Sequence, residues 1–173
     1  MNTEKKSSRV TGLFILLAIL GRLIPHPANV TPVGSVALLG GGMLKSRWRW
    51  LIPLAALAIT DCFLGFTFVT PFIYASFLIS IFLGTKFLKE GTYLRLGFLS
   101  ILGSAQFFLI SNFGVWMEGL LYPKTWEGLA TCYTMALPFL KNSMLGDLCW
   151  AFGLFYLMER SRVWILRREP VPS

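Results

Sequence analysis

Residues 50–87 read WLIPLAALAITDCFLGFTFVTPFIYASFLISIFLGTKF, two apolar runs, Trp50–Phe68 and Phe72–Phe87, joined by an uncharged turn at Val69–Pro71. Within this stretch only Asp61 and Lys86 carry a charge. The basic residues gather at its two ends, Lys45, Arg47 and Arg49 before it and Lys86, Lys89 and Arg95 after it. Lys and Arg collect in cytoplasmic loops because they resist translocation, so the stretch reads as a helical hairpin that leaves the cytoplasmic side and returns to it.

The same alternation extends outward in both directions. Toward the N-terminus lie the apolar runs Val10–Ile24 and Gly34–Leu44; toward the C-terminus lie Leu96–Trp116 and Thr134–Met158. Gly34–Leu44 would form a helix of only about 17 Å, short of the roughly 30 Å hydrocarbon core. Loop charge nevertheless favours a crossing that begins near Asn29, since otherwise Lys45, Arg47 and Arg49 would face the side opposite Lys5, Lys6 and Arg9. With six crossings, thirteen of the sixteen Lys and Arg fall on one side, leaving Lys124 outside and Arg22 and Lys141 within spans. The expected fold is therefore all-α and polytopic: residues 1–9 a cytoplasmic N-terminal segment, 10–158 a six-helix transmembrane domain, and 159–173 a cytoplasmic basic tail. The mixed stretch Met117–Tyr133 carries aromatic and polar groups suited to the outer interface.

Composition points the same way. Fifty-five per cent of the 173 residues are hydrophobic and 14% charged, against roughly 45–50% and 25% in soluble domains. The formal net charge of +8 raises the question of nucleic acid, but its division into short clusters between apolar runs is that of membrane loops, and no nucleic-acid partner is expected. Cys62, Cys132 and Cys149 form no CxxC pair, and the single histidine, His26, has no companion ligand, so neither a metal nor a cofactor is expected.

Ionisable groups inside a span cost several kcal/mol unless paired or hydrated, which makes each a candidate for function. Arg22 falls near the outer end of the first run, Asp61 in the third, and Lys141 and Asp147 in the sixth. Asp61 lies twelve residues beyond Arg49 and Asp147 thirteen before Arg160, so both are about 18–20 Å from the inner boundary. The two carboxylates are expected to share a level, with Arg22 and Lys141 as counter-charges; a bland alternative is that such pairs only fix helix register. The loop His26-Pro27-Ala28-Asn29-Val30-Thr31-Pro32 adds His26, Asn29 and Thr31 at the outer mouth, as a lid or as a rigid connector. Asn112 and Trp116 close the fifth run at the same face, and Asn142 joins them from the sixth. Gly40-Gly41-Gly42 reads as a surface for close helix packing.

Several motifs together, Arg22-Leu23-Ile24-Pro25-His26-Pro27, Asp61-Cys62-Phe63-Leu64-Gly65, Asn112-Phe113-Gly114-Val115-Trp116 and Leu145-Gly146-Asp147, resemble a family of small bacterial multi-pass membrane proteins with no established activity. The chain is also similar to the S-components, the substrate-binding subunits of energy-coupling factor vitamin transporters. The similarity lies in an Arg-x-x-Pro element closing helix one, a Pro-bearing first loop, a Gly-rich second helix and an Asp on helix three. That resemblance implies a small-molecule site beneath the first loop and docking to a coupling transmembrane subunit with its ATPases. Helix one offers Gly12, Ala18 and Gly21 in place of the Ala-x-x-x-Ala pattern of docking S-components, so a solitary transporter is the other possibility.

The sequence-based expectation is a non-enzymatic, substrate-binding component of a transporter in the cell membrane. Its partners are the lipid bilayer and a small vitamin-like molecule, bound near the outer face by Arg22, His26, Asn29, Thr31, Asp61, Asn112, Trp116, Lys141, Asn142 and Asp147. Two alternatives stand beside it. One is an intramembrane aspartyl hydrolase in which Asp61 and Asp147 share a proton and activate water, although Met144 stands where the first glycine of a Gly-x-Gly-Asp element belongs. The other is a non-catalytic membrane scaffold. No phosphate-cradling motif occurs in the chain, so energy for transport would come from a partner or an ion gradient.

Overall fold

The computed structural model describes residues 16–23, 29–44, 48–88 and 92–160, and every regular element among them is helical. The helices are α1 (16–23), α2 (Val33–Met43), α3 (Trp48–Leu64), α4 (Thr70–Phe87), α5 (Tyr93–Glu118) and α6 (Trp126–Arg160).

Local chemistry sets the helix ends. α3 stops at Gly65, whose left-handed backbone (φ 92°) returns its N–H to the Asp61 carbonyl, a conformation that favours glycine. Pro71 opens α4, where its missing N–H costs nothing. Thr92 caps α5, accepting from the Arg95 N–H, and Gly119 ends it in the left-handed region with its N–H on the Trp116 carbonyl. The α6 helix begins eight residues before the expected start at Thr134, because Thr125 accepts from the Gly128 N–H and starts the helix at Trp126.

The short second helix forms the centre of the bundle. Val33 and residues 35–42 of α2 are buried, and the helix packs chiefly on α4 and also against α3, α5 and α6. Glycine makes the α2–α4 contact possible. A Cβ on Gly41 would strike the Ile81 carbonyl, and one on Gly84 would strike the Leu38 carbonyl. Thr85 Oγ1 joins the two backbones, lying 3.0 Å from the Gly41 carbonyl and 2.8 Å from that of Ile81. The glycine run thus serves close packing, as its composition predicted.

The bundle carries hydroxyls inside and large apolar groups outside. Ser35, Ser76, Ser80, Ser100, Ser104 and Ser143 are buried, whereas Phe63, Leu94, Phe98, Leu120 and Trp126 are each at least 66% exposed. Among the described residues two helices, α4 and α5, are long and apolar enough to cross a membrane; at 1.5 Å per residue they extend about 27 and 39 Å. With 11 residues, α2 is too short to do so alone.

Candidate functional site

Where α1 ends, α2 begins, α3 ends and α4 begins, the helices part around a partly open cavity of about 310 Å³. Its wall draws on Arg22 of α1, Asn29 and Thr31 of the first loop, Gly34 and Ser35 of α2, Phe77 and Ser80 of α4, Ser100 and Phe107 of α5, and Ser143 and Asp147 of α6. The volume falls at the small end of ligand pockets, roughly 300–1,000 Å³.

Two carboxylates serve this region differently. Asp61, only 3% exposed, lies behind the wall and holds Arg22 in it: Asp61 Oδ1 is 2.7 Å from Arg22 Nη2, and Arg22 Nη1 donates to Thr60 Oγ1 at 2.8 Å. Thr60 in turn lies 2.9 Å from the carbonyls of Ala56 and Leu57, which anchors the pair to α3. The Tyr74 hydroxyl faces the Asp61 carboxylate.

Asp147 belongs to the wall itself. Its Oδ2 accepts from Ser104 Oγ at 2.7 Å, and Ser35 Oγ donates to its backbone carbonyl at 2.9 Å, tying α2 to α6. Gly34 leaves room for the carboxylate, since a Cβ there would collide with Asp147 Oδ1. Gly146 lets the same turn of α6 approach Val30 of the first loop. That loop makes its bend at Asn29, whose φ of 64° asparagine tolerates better than most residues.

Of the ten sequence-predicted site residues, Arg22, Asn29, Thr31 and Asp147 line the cavity, and Asp61 acts on it through Arg22. His26 lies outside the described residues. The other four do not line the cavity, for reasons of helical phase. On α6, Ser143 and Asp147 share a face, and Lys141 stands two residues, or about 200°, from Ser143; it is exposed and is not the counter-charge of Asp147. Asn142 is half-buried and makes interactions of its own. Asn112 lies nine residues, about 180°, beyond Gly103 of the wall, and its amide donates to the Phe108 carbonyl. Trp116 Nε1 donates to the Pro123 carbonyl and so fastens the turn between α5 and α6. The expected arrangement of two carboxylates beneath two counter-charges therefore reduces to one ion pair, Arg22–Asp61, and one carboxylate, Asp147, with no cation on it among the described residues.

The serines were the missed part of the wall. Ser76 and Ser80 on α4, and Ser100 and Ser104 on α5, repeat at four-residue spacing and so share a helix face, which was the available signal. Gln106 Nε2 bridges the α4 pair, 2.9 Å from both the Ser76 carbonyl and Ser80 Oγ. Ser100 Oγ is buried in the wall with no hydrogen-bond partner. Among the described residues no group of His, Cys, Asp and Glu is placed to hold a metal, and Cys62 is exposed.

Residues 2–167 match a family described as a family of unknown function (DUF6580). No curated protein and no solved structure matches the chain significantly.

Proposed function

Because the chain belongs to a family of unknown function, DUF6580, its activity has to be read from its own residues, and we propose that it is the substrate-binding component of a membrane transporter for a small, vitamin-like molecule. In this reading the chain crosses the cell membrane six times, the second crossing made by α2 together with the chain from Asn29, both termini are cytoplasmic, and the cavity opens to the outside. The inverted distribution of side chains supports the membrane part. Fully burying a large apolar side chain is worth about 1.5–3 kcal/mol in water, and a bundle that leaves Phe63, Leu94, Phe98 and Trp126 outside while enclosing six serines suits lipid as its solvent.

The observation that carries the functional part is the cavity, in which a carboxylate, a paired guanidinium and several hydroxyls from different helices converge on one space. Enclosing such groups without using them is costly. Its position agrees with what the S-component resemblance implies, since Asn29 and Thr31 bring the first loop into the wall. Energy would come from a coupling transmembrane subunit and its ATPases, or from an ion gradient.

Mass spectrometry of small molecules retained by the detergent-purified full chain tests the reading. A retained molecule that Ser100→Leu displaces supports capture. If nothing is retained, no vitamin-class compound binds, and deletion leaves uptake unchanged, the proposal fails.

A further inference from the structure

Resting on that capture reading, the charges in the wall narrow the ligand class. Among the described residues two charged side chains line the cavity, Arg22 and Asp147. Arg22 is already matched by Asp61 at 2.7 Å and spends a second donor on Thr60. Asp147 has only the Ser104 hydroxyl, 2.7 Å from Oδ2, and no cation among the described residues. With Asp147 ionised, the described part of the wall holds one negative charge more than it neutralises.

The remaining surface is compatible with a positive guest. Serine hydroxyls accept as well as donate, and Ser100 is buried, lines the cavity and has no partner for its Oγ. Phe77 and Phe107, with ring centroids 5.6 Å apart, form part of the apolar wall; aromatic faces attract cations and repel anions. The low polarity of such a wall strengthens any charge pair formed against it.

The geometry points to a small organic cation, a protonated amine or a quaternary ammonium group, as the ligand, with Asp147 as its counter-ion and Ser100 as a hydrogen-bond partner where the ligand carries N–H. An anionic ligand meets no vacant positive charge among the described residues of this wall. A neutral ligand gives the Asp147 carboxyl no counter-charge and would be held with that group protonated, whereas a cation holds it ionised.

The test is calorimetric titration of the detergent-solubilised full chain with compounds matched in shape and differing in charge. One set is 2-phenylethylamine, 2-phenylethanol and 3-phenylpropanoate; a second is butylamine, butanol and butanoate; choline and its neutral isostere 3,3-dimethylbutan-1-ol complete the panel. The expected result is that the cation binds at least about tenfold more tightly than its neutral partner in at least one set, that the carboxylates do not bind, and that Asp147→Asn removes the preference. The ranking on the unaltered protein stands even if that variant folds poorly. Carboxylates or alcohols binding as tightly as the amines, with Ser100→Leu blocking them, would overturn the cation assignment and leave the capture reading intact. Absence of binding in every charge class would overturn both, and a cation preference unchanged in a folded Asp147→Asn protein would remove Asp147 from the site.

Discussion

The Arg22–Asp61 pair gives the sharpest energetic prediction. Asp61 is buried on α3, its side chain 4% exposed, and Arg22 on α1 keeps 18% of its side chain accessible. Removing one member of a buried pair costs about 3–5 kcal/mol, because the survivor is left charged and unmatched. Partial access of water to the guanidinium places Asp61→Asn at the lower end, about 3 kcal/mol, even though the amide oxygen can still accept from Arg22. Arg22→Met strands the more deeply buried carboxylate and belongs nearer the upper end of that range. The double variant Arg22→Met, Asp61→Leu leaves no unmatched charge and should cost clearly less than the sum of the singles, a coupling of roughly 2 kcal/mol or more. Titration with sodium dodecyl sulfate of protein in mixed micelles, followed by tryptophan fluorescence and circular dichroism, measures each term. The reasoning is refuted if Asp61→Asn lies within about 0.5 kcal/mol of the native chain, or if the double variant costs as much as the two singles added.

Three further outcomes follow from the packing. Gly84→Ala drives a Cβ into the Leu38 carbonyl and should destabilise the bundle by about 1–3 kcal/mol, whereas Gly153→Ala on α6, where a Cβ meets nothing within 4 Å, should be neutral or stabilising by up to about 1 kcal/mol; the same detergent titration compares them. Ser100→Leu puts bulk into the 310 Å³ cavity and should abolish retention of small molecules, read by mass spectrometry, while the helical circular dichroism signal persists. Lys141→Ala removes an exposed cation that faces away from the wall, and ligand affinity measured by calorimetry should change by less than about twofold.

Much of the helical order was legible before any coordinates. In residues 50–87 the apolar runs and the uncharged turn between them mark α3 and α4, because an apolar run bounded by turn chemistry leaves the backbone few alternatives. The cost of burying charge likewise singled out Arg22, Asp61 and Asp147, and all three are at or just behind the cavity. The α6 start was not legible, since the polar and aromatic content of Met117–Tyr133 resembles an interfacial stretch and masks the Thr125 cap. Lys141 was misplaced for a different reason: depth along a helix can be counted from residue number, but the face it presents depends on where the neighbouring helices pack.

By itself, then, the sequence determined the helical class, the α3–α4 hairpin and the residues too costly to bury idly, all of which follow from hydropathy and charge along one dimension. Only the tertiary structure decided that α2 is an interior helix seated on α4 through Gly41 and Gly84, that Arg22 is matched by Asp61, and that Asp147 stands in the wall held by Ser104 with no cation on it among the described residues. Those facts depend on the rotation and approach of helices distant in the chain, set by close packing between backbones and side chains, which no local pattern encodes.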